Sequence, residues 1–270
     1  IKDEYERKRC LDEIPQTAQG KTIMTIEPKF VPSNAATIQI DDFTANIRLI
    51  DCVGYVIDAA KGYEDENGPR MVRTPWYDEE IPFVEAAEIG TEKVIRDHST
   101  IGIVVTTDGS IGEIERKDYI EAENQVINEL KEIGKPFIVV LNSVHPTHPD
   151  TEKLAEELRN EHNVPVIPVS AENMSEKEIY NILKEALFEF PVLSVNVNMP
   201  DWIACLSYKH PLKKEYIEKI KESVTEVDKV RDVDMIIGHF QGCDHISKAY
   251  LSEVNAATGE ITINLEAPEG

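Results

Sequence analysis

Three short runs of apolar and β-branched residues, Ile101-Gly102-Ile103-Val104-Val105-Thr106, Phe137-Ile138-Val139-Val140-Leu141-Asn142 and Val164-Pro165-Val166-Ile167-Pro168-Val169, are separated by stretches with apolar positions at helical spacing. No other feature narrows the fold as much. A continuous apolar run predicts a strand covered on both faces, and strands alternating with helices predict a parallel α/β sheet. Between the first two runs, Ile120, Val126, Ile127, Leu130 and Ile133 keep one helix face, which Gly134 and Pro136 end. Leu154, Ala155 and Leu158 mark a second inward helix face. Ser175-Glu176-Lys177-Glu178 reads as a capping box opening a third, with Ile179, Ile182, Leu183, Ala186, Leu187 and Phe190 as its stripe and Pro191 as its stop. Upstream, Thr37–Ile40 and Asn46–Ile50 alternate about Asp41-Asp42, which predicts an antiparallel hairpin.

Beyond Pro191 the pattern changes. Leu193–Val197 reads as a strand, Pro211–Val230 as a long charged helix with proline in its first turn, and Ala249–Leu265 as a hairpin around Thr258-Gly259. The expected organisation is therefore a domain over 1–190 and the start of a smaller, incomplete α+β domain over 191–270. The opening Ile1-Lys2-Asp3-Glu4 has mid-helix character, so the chain reads as a piece of a longer protein.

Charge excludes one class of partner. Asp and Glu number 51 against 28 Lys and Arg, and a net charge of -23 repels phosphate backbones and anionic headgroups. No nucleic-acid partner is expected. The four cysteines, Cys10, Cys52, Cys205 and Cys243, form no Cys-x-x-Cys pair, which fits a reducing cytosol. No apolar run approaches the roughly 20 residues of a membrane-spanning helix. The expectation is a cytoplasmic protein with no transmembrane segment.

The chemistry is concentrated at strand ends. Arg48-Leu49-Ile50-Asp51-Cys52-Val53-Gly54 carries a strand into Asp-x-x-Gly. In GTPase-like P-loop hydrolases a carboxylate there holds magnesium through water, and the glycine amide meets the γ-phosphate. Thr25 stands upstream where that class keeps a switch threonine, with Thr22 as a competing candidate. Val140-Leu141-Asn142-Ser143-Val144-His145 occupies the place of Asn-Lys-x-Asp, with Ser143 for the lysine and His145 for the aspartate. An imidazole cannot replace a bidentate carboxylate on guanine, so guanine selectivity is expected to be lost. Ser170-Ala171, after the third run, matches the turn whose backbone approaches the base. Such landmarks at successive strand ends lie where α/β sheets bind ligands.

Other features carry less. Gly20-Lys21-Thr22 resembles the end of a phosphate-binding loop, but Pro15 stands where that motif needs glycine. The true loop is expected before Ile1. Tyr55 cannot orient water as the usual glutamine does, and the long segment to Glu88 offers Arg70 and Arg73 as charge stabilisers, or is an ordinary surface insertion. His239-Phe240-Gln241-Gly242-Cys243-Asp244-His245 fits no familiar zinc spacing.

The strings Thr22–Pro32, Leu49–Tyr55, Pro69–Tyr77, Val104–Ser110 and Val140–Ser143 together resemble the stage IV sporulation protein A family, across essentially the whole chain. The resemblance implies an ATPase with a P-loop NTPase fold of the GTPase-like kind, using ATP and Mg2+. Asp51 and Thr25 become the catalytic and magnesium-holding residues, with Gly54, Asn142, Ser143, Ser170 and Ala171 on the nucleotide. It further implies a homopolymer in the mother-cell cytoplasm, peripheral on the forespore surface as the spore-coat base layer. A small amphipathic membrane-anchoring peptide and other spore coat proteins are expected to bind through regions outside this chain. Without the phosphate-binding loop, these 270 residues are expected to bind ATP weakly or not at all. A nucleotide-independent scaffold and a regulatory GTPase are the alternative readings.

Overall fold

The computed structural model describes residues 29–41, 43–57, 59–65, 68–74, 77–225, 227–240, 243–255 and 258–268. Strands β1 (Lys29–Ile40) and β2 (Phe43–Asp51) pair as a two-stranded sheet. Two small antiparallel pairs follow, β3 (Glu64–Asp65) with β4 (Gly68–Pro69) and β5 (Met71–Thr74) with β6 (Tyr77–Pro82). Next come α1 (Phe83–Lys93), continued by a π-helical turn Val94–His98, then β7 (Gly102–Thr107), α2 (Arg116–Ile133), β8 (Phe137–Asn142), α3 (Pro149–His162), β9 (Val166–Val169) and α4 (Glu176–Phe188). The remainder runs β10 (Ser194–Asn198), α5 (Asp201–Ala204), α6 (Pro211–Ser223), α7 (Val233–Phe240), β11 (Lys248–Asn255) and β12 (Glu260–Glu266). The chain divides into two compact units, one over residues 47–182 with the start of β1, the other over residues 183–270 with residues 37–46.

The first unit holds the expected parallel sheet, in the order β7-β8-β9. Val104, Val139 and Val166 stand in register on one face, where Ile127 and Leu130 of α2 and Ala155 and Leu158 of α3 close over them. Central β8 is buried from Phe137 to Leu141. The opposite face departs from the expectation: Val140 is 5% exposed but its neighbour Val105 is 66% exposed. Among the described residues β7 is an edge strand packed by α2 on the Val104 face, and they leave the other side of its apolar run uncovered. The capping box is present, with Ser175 N and Oγ donating to Glu178 Oε2 at 2.8 and 2.6 Å and Glu178 N donating to Ser175 Oγ at 3.3 Å. Gly134, with φ of 70°, terminates α2 in the left-handed region. Lys135 beside it donates to the carbonyls of Ile95, Arg96 and Ser99, closing the end of the π turn.

The second unit is built on a sheet in the order β10-β12-β11, with β10 parallel and β11 antiparallel to β12. Alternation along β12 buries Ile261, Ile263 and Leu265. Val233, Ile236 and Phe240 of α7 are buried too, and α7 packs against β11. The predicted helix from Pro211 ends at Ser223, not Val230, because the Ser223 and Thr225 hydroxyls donate to Ile220 O and Glu222 O and compete with the next helical turn. Helix α7 was not foreseen. Buried Glu189 sits between Lys229, whose Nζ lies 2.6 Å from Oε2, and Arg231.

Candidate functional site at the carboxyl ends of the parallel strands

The ends of β7, β8 and β9 are drawn together by backbone bonds, Asp108 N to Asn142 O at 3.3 Å and Ser143 N to Val169 O at 2.9 Å. Side chains extend this ladder past the last strand residues. Asn142 Oδ1 accepts the Ala171 amide at 2.9 Å, bridging β8 to the Ser170-Ala171 turn. Asp108 is the second organiser: its Oδ1 accepts Ser110 N and its Oδ2 accepts Thr151 Oγ1, both at 2.9 Å. Ser110 Oγ, also bonded to Asp108, accepts the Val144 amide at 2.9 Å. One carboxylate thus ties the loop after β7 to the loop after β8 and to the first turn of α3. Burial would push the Asp108 carboxyl up, but the hydroxyls of Ser110, Ser143 and Thr151 outweigh it and hold the group below the ordinary value.

Local sequence explains why the first loop takes this path. Gly109 has φ of 86°, and a Cβ there would stand 2.8 Å from the Arg116 amide at the start of α2. Behind it, Arg116 donates to Thr106 Oγ1 at 3.2 Å and to buried Glu123 at 2.6 Å. Arg116 Nε and Glu123 Oε2 are buried without a partner among the described residues.

The structure gathers some of the expected site residues and separates others. Asn142, Ser170 and Ala171 meet at the strand ends. Ser143 is adjacent but fully buried, and its hydroxyl accepts the His145 amide at 3.0 Å, so it supports the loop from behind. His145 itself is exposed. Asp51 is exposed at the end of β2, but among the described residues β2 pairs with β1 and does not join the sheet that carries Asn142. Gly54, with φ of 80°, donates its amide to buried Thr91 Oγ1 of α1 at 3.1 Å, where a γ-phosphate contact was expected. Tyr55 donates its hydroxyl to Glu129 of α2, and burial followed by that carboxylate pushes the phenol up. Thr25 and Thr22 lie outside the described residues. Arg70 donates to Gly62 O at 3.2 Å and stacks on Phe83, while Arg73 pairs with Glu80 at the surface. Among the described residues, no group of three or more His, Cys, Asp and Glu is arranged to hold a metal.

Sequence reasoning missed Asp108, Ser110 and Thr151. The signal was partial: Asp108-Gly109-Ser110 follows an apolar run at a strand end, where ligands bind in α/β sheets. A cavity of about 410 Å³, lined by Tyr77, Ile89, Glu92, Lys93, Arg96 and Asp97, shares no residue with these strand ends.

A parallel α/β unit with a polar cluster at its strand ends defines a class, and comparison with known proteins makes the class an ATPase-domain family. Residues 1–191 match the family model described as stage IV sporulation protein A, ATPase domain, and residues 192–270 match the middle domain of the same protein. The chain belongs to the stage IV sporulation protein A family. It is 55% identical to stage IV sporulation protein A of Bacillus anthracis, 54% to that of Bacillus subtilis (strain 168) and 42% to that of Clostridioides difficile (strain 630), each over all 270 residues. It spans 55% of the length of each of these relatives. No solved structure matches it.

Proposed function

We propose that the first unit binds and hydrolyses ATP with Mg2+ in a P-loop NTPase fold of the GTPase-like kind. In this reading the protein assembles as a homopolymer on the forespore surface, forming the spore-coat base layer, with the domain boundary near Phe190. One observation carries the reading: Asn142 Oδ1 holds the Ala171 amide across the ends of adjacent parallel strands, in a region that matches an ATPase-domain family. That bridge shapes an edge on which a base can rest against the Ser170-Ala171 backbone. His145, exposed at the position where a guanine-reading carboxylate would stand, supports adenine over guanine.

On the phosphate side the fit rests on Asp51, whose exposed carboxylate can reach a cation at little desolvation cost. Thr25 would complete that end from outside the described residues. Bound magnesium would neutralise charge on the β- and γ-phosphates. Gly54 would exchange Thr91 Oγ1 for a phosphate oxygen, an exchange of one acceptor for another.

A scaffold without chemistry is the competing reading, favoured by the occupied Gly54 amide. Replacing Asp51 by Ala in the full-length protein separates the two. Loss of ATP turnover together with loss of assembly supports the ATPase reading, and assembly that survives loss of turnover supports the scaffold. The coat location, the amphipathic membrane-anchoring peptide and other coat partners are extensions of the same reading through regions beyond this chain.

A further inference from the structure

The two edges of the second unit's sheet are built differently. β11 carries a bulge between Leu251 and Glu253 and the charged residues Lys248 and Glu253. Bulges and edge charges prevent a foreign strand from docking. β10 carries neither. From Phe190 to Pro200 there is no charged residue, and among the described residues β10 pairs only with β12.

Side-chain burial shows the same asymmetry. Val195 and Val197 are in register with Ile261 and Ile263 of β12, which are 1% and 0% exposed, yet both valines are only half-buried. Leu193, just before the strand, is 77% exposed. Among the described residues, the apolar layer of the sheet therefore runs out to its β10 edge and stops uncovered.

The segment Leu193-Ser194-Val195-Asn196-Val197-Asn198-Met199 is also a near-palindrome in residue type about Asn196. In an antiparallel pair of two copies centred there, Val195 faces Val197, Ser194 faces Asn198, Leu193 faces Met199, and Asn196 faces itself. Apolar residues meet apolar ones on the covered face, and amides or hydroxyls meet on the open face. Two chains each of net charge -23 repel over most of their surfaces, and an uncharged edge is where they can approach. We propose that the β10 edge is an isologous docking surface for β10 of a second copy of this chain, joining two three-stranded sheets into one of six strands. The pairing specifies a contact that the assembly reading left open, and it requires no nucleotide.

The experiment is sedimentation equilibrium of the 270-residue chain without nucleotide, over a concentration series. A reversible dimer is expected. Asn196→Lys places like charges opposite each other and is expected to weaken it at least tenfold, whereas Glu253→Lys on β11 leaves it unchanged. Asn196→Pro, which removes an edge N–H without adding charge, tests the same contact, with circular dichroism confirming that each variant is folded. Across an antiparallel pair the two Cα atoms at 196 lie about 5 Å apart, within disulfide reach. Asn196→Cys is therefore expected to crosslink to itself under mild oxidation, mapped to position 196 by peptide mass spectrometry. A monomer at every concentration, or a dimer indifferent to Asn196→Lys and lacking the crosslink at 196, overturns the proposal.

Discussion

The first unit presents two loops with chemical residues, and they are held in opposite ways. At the ends of β7, β8 and β9, Asp108, Ser110, Asn142 and Thr151 bond across three connections, so the loops fix one another. The Asp51–Gly54 turn bonds outward to helices, through Gly54 to Thr91 and through the next residue, Tyr55, to Glu129. A mutually bonded set opens only as a whole, whereas a turn held by two separate contacts can exchange them one at a time. Under the proposed function, the first loop set would be the edge that receives a base and the second the turn that exchanges a contact for a phosphate.

The largest disturbance to the rigid half is expected from Gly109→Ala, which puts a side chain at φ of 86° and 2.8 Å from the Arg116 amide. Strain and overpacking together cost about 3 kcal/mol, measured as a lower urea midpoint with unchanged m. Asn142→Ala comes next. It returns the exposed Ala171 amide to water and costs about 1 kcal/mol, read as faster hydrogen exchange at Ala171 and not at Gly54. Thr91→Val removes the Gly54 acceptor at nearly constant volume and costs about 1 kcal/mol. Faster exchange confined to residues 54–55 sharpens the comparison, and exchange that spreads to Asn142 breaks it. The smallest effect is with pH. Because the Asp108 carboxyl is lower in the folded chain than its ordinary 3.8, its contribution is complete above that value and fades as pH falls through the folded one. Protection of the Ser110 and Val144 amides, measured against the intrinsic exchange rate at each pH, is expected to fall below about pH 4, and Asp108→Asn to flatten that response.

Much of the parallel sheet was legible because β8 and its neighbours are apolar runs broken only near their carboxyl ends, by Thr106, Thr107 and Asn142, and because Ser175-x-x-Glu178 is a local signal that needs no tertiary context. The helix Phe83–Lys93 was not read, since Gly90 and Thr91 interrupt its pattern and both turn out to be buried against the rest of the unit. The π turn after it depends on Lys135, forty residues from Ile95 along the chain. At the site, Asn142 and Ala171 could be anticipated from their order at strand ends. Asp108 and Thr151 could not, because 43 residues separate them and nothing local marks the contact. The pairing of β1 with β2 was read from the alternation in residues 37–50, but that alternation does not say whether the pair joins the parallel sheet, and among the described residues it does not.

The most direct measurement is hydrogen exchange of the full-length protein with and without ATP and Mg2+. The account predicts protection at residues 142–145 and 170–171 with little change in their neighbours, and a change of exchange at Gly54 and Tyr55 as the turn leaves Thr91. Nucleotide-dependent turnover with no protection at Asn142 or Ala171 would contradict it, and would place the adenine elsewhere on the molecule.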